Sequence, residues 1–260
     1  MSVSFTRKLK DQKQKGEKIV MLTAYDYLTA RLIDESGVDL ILVGDSLGHL
    51  FSGYKTTLPV TIDEMIYHTK AVTRGVTKAA VVADMPFMSY HISIESAKQN
   101  AGRLMQEAGA HAVKIEINSA TYPVAPALIQ IGIPVIAHLG LKPQSVYQLG
   151  GYREQAKTEK EVEQLTNLAI KLEKDGCFAI LLEQVPSEIA KVIAESISIP
   201  VIGIGAGPHC DGQVLVTHDV VGLTPDRVPQ FVKQYDTLGT RFKSAVQAFS
   251  KDVKTGHFPK

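Results

Sequence analysis

The chain has 260 residues, a formal net charge of +1, and a hydrophobic fraction of 45%. Its 28 basic and 27 acidic residues nearly balance, which excludes the large excess of Lys and Arg that a nucleic-acid-binding surface needs. No apolar run reaches the roughly 20 residues that a membrane span needs. The length suits one large domain with one core, and we take 1–260 as a single domain.

The two cysteines, Cys177 and Cys210, are too few for a disulfide framework and fit no Cys/His metal-ligand spacing. Cys177 lies in an apolar segment and is interpreted as a small core residue. The N-terminal segment lacks the apolar stretch of a secretory signal. We therefore expect a cytoplasmic protein with neither nucleic acid nor membrane as a partner.

A Lys-rich helix is predicted at about 3–16, with a solvated face rather than a binding role. Apolar segments rich in Val, Ile, Leu and Ala then recur along the chain. Continuous runs of this kind are typical of strands that are buried on both faces of a parallel sheet. The predicted strands are 19–26, 38–45, 79–84, 110–116, 133–139, 177–183, 199–204 and 213–217.

The segments between the strands show helical periodicity and helix-capping signals. Thr61 with Glu64, and Thr158 with Glu161, have the spacing of a capping box at a helix start. Glycine recurs where a helix gives way to the next strand, which is a typical C-terminal capping position. These glycines are Gly37, Gly109, Gly132 and Gly176.

Eight strands that alternate with helices predict an α/β fold, namely a (β/α)8 TIM barrel. An open, doubly wound sheet is the alternative. The tail at about 225–260 is expected to add two amphipathic helices outside the barrel. Two loops, 46–60 and 140–157, are longer than barrel turns usually are, and loops of this kind often act as lids.

Four acidic residues stand at the ends of apolar strands: Asp45, Asp84, Glu116 and Glu183. The C-terminal ends of barrel strands converge on the face that carries the active site. Carboxylates at these positions are costly to bury unless a cation or a catalytic proton compensates them. Asp45 and Asp84 therefore predict an Mg²⁺ site, although a single Asp could instead cap the next helix.

Other polar residues accompany these carboxylates on the strands. Lys114 and Glu116 are two residues apart and so face the same way; they are either a buried ion pair or a group that binds substrate and metal. His138 ends the fifth strand, as a core residue or a site residue. Glu183 follows an apolar run that would raise its pKa, as a general base requires; a salt bridge to a loop cation is the alternative.

The Gly-rich segment 203–207, GIGAG, follows the seventh strand, where barrels often bind phosphate. It matches neither of the common nucleotide-binding glycine motifs, and a tight turn explains it equally well. The sequence contains no Gly-x-Ser-x-Gly and no His-Glu-x-x-His, which argues against a serine hydrolase and a zincin.

Several longer motifs occur in a fixed order along almost the whole chain. They are TAYDY at 23–27, LVGDSLG at 42–48, TLPVT at 57–61, ADMPFMSY at 83–90, VKIE at 113–116, HLGLKPQS at 138–145, GGY at 150–152, IPVIGIGAG at 199–207, DGQVLVTHD at 211–219 and GHFP at 256–259. The ordered set closely resembles the ketopantoate hydroxymethyltransferase family, from about residue 3 to residue 259.

The resemblance implies a barrel of the phosphoenolpyruvate/pyruvate type that transfers a one-carbon unit from 5,10-methylenetetrahydrofolate to 3-methyl-2-oxobutanoate with Mg²⁺, in pantothenate biosynthesis. It implies that Asp45, Asp84 and Glu116 form the metal site and that Glu183 is the catalytic base. Substrate contacts fall on Asp45, Ser46, Asp84, Lys114 and His138. Assembly as a homodecamer is implied as well.

The folate co-substrate carries an acidic glutamate tail, which Arg153 and Lys157 of the second long loop are candidates to bind. Two other functions are kept open. One is an Mg²⁺-dependent C–C lyase or mutase of the isocitrate lyase/phosphoenolpyruvate mutase type, for which Cys210 could supply the loop cysteine. The other is a barrel that has lost catalysis and serves as an oligomeric scaffold.

Overall fold

The computed structural model describes residues 5–151, 155–156, 158–225 and 228–259. The chain divides into two compact units, residues 1–214 and residues 215–260. The first unit carries the predicted strands and most of the helices. The second unit carries the C-terminal tail. The prediction of a single domain over 1–260 stays a prediction.

In the described residues, eight parallel strands form a closed barrel in which each strand pairs with its neighbours in sequence order. The strands are β1 Ile19–Thr23, β2 Leu40–Val43, β3 Ala80–Asp84, β4 Ala112–Glu116, β5 Val135–Gly140, β6 Ala179–Glu183, β7 Val201–Ile204 and β8 Gly212–Leu215. The barrel is confirmed and the open sheet is excluded. Most strands begin two residues later than predicted, since apolar residues such as Val38 and Cys177 lie in the loops that lead into them.

Helices connect the strands as the periodicity predicts. The helices are α1 Phe5–Lys15, α2 Tyr27–Glu35, α3 Leu47–Leu50, α4 Ile62–Gly75, α5 Ile94–Gln106, α6 Val124–Gln130, α7 Val146–Leu149, α8 Glu159–Lys174 and α9 Ser187–Ser196, with a 3₁₀ turn at Pro143–Ser145. Both predicted capping boxes are present, at the starts of α4 and α8. The four predicted capping glycines all have positive φ, between 74° and 101°.

Alternation along the strands separates an inner cluster from an outer one. Leu40, Leu42, Ala80 and Val82 belong to the cluster that fills the barrel. Ile41 and its alternating neighbours pack outward against the helices. This alternation continues to the ends of the strands. The inward apolar residues at the start of a strand therefore determine which residue at its end also faces the barrel interior.

Helix α1 packs against the barrel core. Leu9 is 2% exposed and joins the inner cluster together with Ile19 of β1. Lys13 donates hydrogen bonds from Nζ to the carbonyls of Ala194 and Ile199, at 2.7 and 2.9 Å, and lies 2.8 Å from Asp211 Oδ2. At least one lysine of this helix therefore anchors it and is not simply solvated.

The second unit contains α10 Thr217–Val220 and α11 Leu238–Lys254. Backbone hydrogen bonds from Tyr235 to Val220 and from Leu238 to Val221 hold its connecting segment. Two helices were predicted beyond residue 225, and the described residues there contain only α11. No described helix is long and apolar enough to cross a membrane.

Candidate active site

The inward positions change from apolar to charged toward the C-terminal ends of the strands. Asp84, Lys114, Glu116 and His138 are each at most 4% exposed. Glu183 ends β6, and its side chain is 17% exposed. The barrel therefore brings the residues predicted from separate strands to one end of its interior.

Lys114 pairs with Asp84 and not with Glu116. Its Nζ lies 2.8 Å from Asp84 Oδ1, because the register of β3 and β4 places these two residues side by side. Burial alone would lower the pKa of Lys114, but Asp84, Asp45 and Glu116 raise it above its ordinary value. The ammonium group therefore stays protonated and interacts electrostatically with several carboxylates at once.

Asp45 lies two residues beyond the end of β2 and is 5% exposed. Its backbone N–H donates to Asp84 Oδ2 at 3.2 Å, which brings the two predicted metal ligands together. Burial raises the pKa of Asp84 to about 7, although Lys114 acts in the opposite direction, and the Asp45 carboxylate raises it further. The site thus holds more carboxyl groups than its single lysine can neutralise.

Glu116 is held by the loop that follows β5. The backbone N–H of Gln144 donates to both carboxylate oxygens of Glu116, at 3.2 and 3.3 Å. Burial raises the pKa of Glu116 well above its ordinary value, and Lys114 opposes that shift. Glu116 also pairs in register with His138, whose Nδ1 lies 3.9 Å from its Oε1.

His138 is a neutral imidazole at the centre of this group. Burial lowers its pKa well below the ordinary value, and Lys114 and Lys142 lower it further. Its Nδ1 is 3.3 Å from Lys114 Nζ, which can only donate, so the ring proton belongs on Nε2. Among the described residues Nε2 has no aligned hydrogen-bond partner. That N–H is available to an oxygen atom of a bound ligand.

Glu183 lies beside His138, with 3.2 Å between Glu183 Oε2 and His138 Nε2. Burial raises the pKa of Glu183 to about 8, against the pull of Lys114. Gly140 pairs in register with Glu183 and has a φ of +88°. A Cβ at Gly140 would lie 2.3 Å from the Glu183 carbonyl oxygen, so only glycine allows this approach.

Two buried residues of the site were not predicted from the sequence. Gln144 is 4% exposed and Tyr90 is 1% exposed. Gln144 donates from Nε2 to Asp45 Oδ2 and to the Met85 carbonyl, both at 3.0 Å. Tyr90 donates to Gln144 Oε1 at 2.8 Å. Both residues lie in motifs that carry the family resemblance, which is the one signal that pointed to them.

Ser46, a predicted substrate contact, directly follows Asp45. Its Oγ is 2.8 Å from the hydroxyl of the buried Tyr25. Ser46 stands before α3 without forming a side-chain cap, so its hydroxyl is not committed to the helix. Arg153 and Lys157, the candidate folate contacts, lie outside the described residues.

The donor set fits Mg²⁺. Buried carboxylates in excess over a single ammonium group are hard oxygen ligands that need a further cation. Among the described residues, no three His, Cys, Asp or Glu side chains are arranged to hold a metal by themselves. Mg²⁺ usually takes one or two carboxylates and completes its shell with water and substrate.

Cys210 is fully buried. Burial raises the pKa of its thiol to about 11, so a reactive thiolate is disfavoured at neutral pH. Its Sγ lies 2.7 Å from the point where a Cβ on Gly203 would stand, so the glycine makes room for it. Cys210 therefore behaves as a core residue and does not supply the cysteine that a lyase or mutase of this type would need.

Comparison with known proteins agrees with the motifs. A family model described as ketopantoate hydroxymethyltransferase matches residues 4–260. A 3-methyl-2-oxobutanoate hydroxymethyltransferase of Caldicellulosiruptor bescii is 54% identical over 254 residues, which covers 98% of this chain and 96% of that protein. The enzyme of the same name from Thermoanaerobacter sp. (strain X514) is 52% identical, with 98% and 93% covered.

Solved structures with a similar barrel are much more distant in sequence. A 2,3-dimethylmalate lyase, described as a PEP mutase/isocitrate lyase superfamily member, has a TM-score of 0.62 at 17% identity, covering 98% of this chain and 90% of that one. Phosphoenolpyruvate phosphomutase from Streptomyces platensis subsp. rosaceus has a TM-score of 0.63 at 15% identity, with 96% and 88% covered. At these identities the similarity shows the fold alone, and it agrees with the closed (β/α)8 barrel.

Proposed function

The chain belongs to the ketopantoate hydroxymethyltransferase family, and we propose that it transfers a hydroxymethyl group from 5,10-methylenetetrahydrofolate to 3-methyl-2-oxobutanoate, forming ketopantoate. The observation that carries the proposal is the convergence of Asp45, Asp84, Lys114, Glu116, His138 and Glu183 in a chain matched along almost its whole length by that family. The arrangement suits proton abstraction next to a carbonyl group.

Asp45 and Asp84 are the residues that would hold Mg²⁺, with Glu116 as the third acidic residue of the metal site. When bound, Mg²⁺ polarises the carboxylate and keto oxygens of a 2-oxo acid as a Lewis acid. Phosphonopyruvate hydrolase, which has a similar barrel, has been solved with oxalate and Mg²⁺. Oxalate, like a 2-oxo acid, has oxygen atoms on two adjacent carbons, which is the donor arrangement proposed here for the substrate.

Glu183 is the proposed catalytic base. Burial raises its pKa to about 8, so its carboxylate is a stronger base than an exposed glutamate would be. Glu183 takes the proton from C3 of the 2-oxo acid, and the electron pair of that C–H bond moves into the enolate. Water adds to the methylene carbon of the folate, the bonds from that carbon to the folate nitrogens break, and tetrahydrofolate leaves with the one-carbon unit released as formaldehyde. The enolate carbon then adds to that carbonyl carbon, and the resulting alkoxide takes up a proton, which balances the one that Glu183 removed.

Lys114, His138 and Ser46 are the proposed substrate contacts. The Lys114 ammonium group supplies fixed positive charge where the enolate oxygen gains negative charge. The Nε2–H of His138 is available to donate to a substrate oxygen. Arg153 and Lys157 are proposed to meet the glutamate tail of the folate, and assembly as a homodecamer is proposed from the family alone.

Product analysis by mass spectrometry tests the reaction. The protein is incubated with 3-methyl-2-oxobutanoate, 5,10-methylenetetrahydrofolate and Mg²⁺, with and without a chelator. We expect a product in which one hydrogen is replaced by hydroxymethyl, formed only without the chelator and not by Asp84→Asn. Folded, Mg²⁺-loaded protein that makes no such product would refute the proposal and favour a lyase or mutase.

A further inference from the structure

We propose that Gln144 is a positioning residue, which orients the Asp45 carboxylate for Mg²⁺ and couples filling of the metal site to the segment 141–149. The inference rests on the proposed function, because it assigns Asp45 to the metal. Its basis is a chain of hydrogen bonds that begins on β4 and ends on the Asp45 carboxylate.

The chain of hydrogen bonds has a single direction. The backbone N–H of Glu116 donates to the Tyr90 hydroxyl at 3.2 Å, and that hydroxyl donates to Gln144 Oε1 at 2.8 Å. Gln144 Nε2 then donates to Asp45 Oδ2 at 3.0 Å. In each of these three hydrogen bonds the donor and the acceptor are both defined, so the direction of the series is unambiguous.

The orientation of the Gln144 amide is fixed by its neighbours. Asp45 Oδ2 and the Met85 carbonyl are both acceptors and both lie 3.0 Å from the same terminal atom. Only the nitrogen, with its two protons, can serve both of them. All the hydrogen-bonding capacity of the nitrogen is therefore used, and one oxygen of Asp45 is held in place.

Gln144 also belongs to the segment that runs from the end of β5 into α7. Its backbone N–H bonds to Glu116 while its side chain bonds to Asp45, so one residue joins two acidic residues of the site. Pro143 opens the 3₁₀ turn at Pro143–Ser145 that presents Gln144 inward. Any restraint that Mg²⁺ places on Asp45 is thereby transmitted to this segment.

The test measures Mg²⁺ binding directly, by titration calorimetry without substrate. Gln144→Met keeps the size of the side chain and the backbone bond to Glu116, but removes the side-chain hydrogen bonds. We expect its dissociation constant for Mg²⁺ to rise about 10- to 100-fold, as changes to groups that orient metal ligands typically do. Gln148→Met, an exposed position on the same segment, is the matched control and leaves the constant unchanged.

Amide hydrogen exchange supplies a readout that a merely structural role would not affect. Mg²⁺ should slow exchange over 141–149 in the wild type, and this Mg²⁺-dependent protection should be lost in Gln144→Met. Tyr90→Phe keeps both donors of Gln144 and removes the two hydrogen bonds of the Tyr90 hydroxyl, the one to Gln144 Oε1 and the one from the Glu116 backbone N–H. Loss of these two bonds should raise the dissociation constant about two- to tenfold, and this variant tests the inference if Gln144→Met does not fold.

Two outcomes would overturn the inference, and they are distinguishable. Wild-type protein that forms product while folded Gln144→Met binds Mg²⁺ as tightly as the wild type, with unchanged protection of 141–149, refutes the role of Gln144 and leaves the proposed function standing. Wild-type protein that neither binds Mg²⁺ nor forms product removes the proposed function and the inference together.

Discussion

The two ends of the barrel interior share the same strand geometry but differ in the residues that face inward. At the N-terminal end the inward residues are apolar, such as Leu40 and Ala112, and they form one buried cluster with Leu9 of α1. At the C-terminal end the same inward series continues with Asp84, Glu116 and other charged groups, which are just as deeply buried. Burial stabilises the first set and opposes ionisation of the second.

The raised pKa values of the acidic residues reflect the free-energy cost of ionising a buried carboxyl group. A carboxyl group whose pKa is raised on folding makes the native state less stable as pH rises from its unfolded value toward its folded one. Asp84 and Glu183, with pKa values of about 7 and 8, therefore lower stability at neutral pH in the metal-free protein. Substitutions at either end of the barrel interior should therefore have different consequences.

Glu183→Gln should have the largest effect, and its main consequence is for proton transfer. Loss of the base should slow C3 proton exchange of the 2-oxo acid about 10²- to 10⁴-fold, while the affinity for the 2-oxo acid remains. The metal-free variant should also gain stability over the wild type as pH rises toward 8, because it has no carboxylate to ionise. Deuterium exchange followed by NMR and thermal melts measure the two effects.

The matched control for that experiment is Glu188→Gln on α9, whose side chain is 80% exposed. It removes the same kind of charge a few residues further along the chain. It should alter neither the C3 proton exchange rate nor the stability appreciably. A proton exchange rate in Glu183→Gln close to that of the wild type would exclude Glu183 as the base.

Lys114→Met should destabilise the charged end of the barrel. The ammonium group is the buried partner of Asp84 at 2.8 Å, and removal of one partner from a buried pair costs about 3–5 kcal/mol. The loss should be larger at pH 8 than at pH 5, because Asp84 is protonated at the lower pH and no longer needs a cation. Urea denaturation at both pH values measures it, and a pH-independent loss would contradict this explanation.

Leu9→Ala tests the apolar end. Leu9 is 2% exposed within the inner cluster, and truncation of such a side chain costs about 2–5 kcal/mol. Leu28→Ala, at a position 68% exposed, should cost much less and serves as the control. Mg²⁺ affinity should be the same in both variants. If Leu9→Ala weakened Mg²⁺ binding, the two ends could not be treated as separate.

The sequence was sufficient to predict most of the charged end. Asp84, Glu116 and Glu183 each close an apolar run, and the period of two decides which way they face. Asp84 was not predicted as the partner of Lys114, because the alternatives from the sequence were an ion pair with Glu116 on the same strand and a group that binds substrate and metal. The answer depends on the register of β3 and β4, which closure of the whole barrel sets.

Gln144 and Tyr90 could not be predicted by the same reasoning. Neutral polar residues in loops are usually exposed, and no local pattern distinguishes Gln144 from the exposed Gln148 four residues later. Its burial results from contacts with Asp45, Met85 and Glu116, which lie at or just beyond the ends of β2, β3 and β4 and far away in sequence. The site residues at strand ends can thus be predicted from the local sequence pattern. The burial of the residues that orient them depends on tertiary structure and cannot.

Asp34 offers the smallest and most local test, away from both ends of the barrel interior. It is 2% exposed near the end of α2, and its carboxylate accepts the backbone N–H groups of Thr77, Lys78 and Ala79 at 2.7–3.2 Å. Asp34→Ala would leave these donors without their acceptor, at a cost of about 1–3 kcal/mol. Glu35→Gln, the exposed neighbour, is the control and should cost little.

The pH dependence of that loss should be opposite in sign to that of Glu183. Burial raises the pKa of Asp34, but the hydrogen bonds from Ala79 and its neighbours outweigh burial, so the pKa lies below its ordinary value. The stabilisation is therefore complete above the unfolded pKa of about 3.9 and disappears as pH falls through the folded pKa. Denaturation of wild type and Asp34→Ala between pH 2 and pH 7 should give curves that converge in acid. A constant difference across that range would mean that hydrogen bonding to the ionised carboxylate is not what Asp34 contributes.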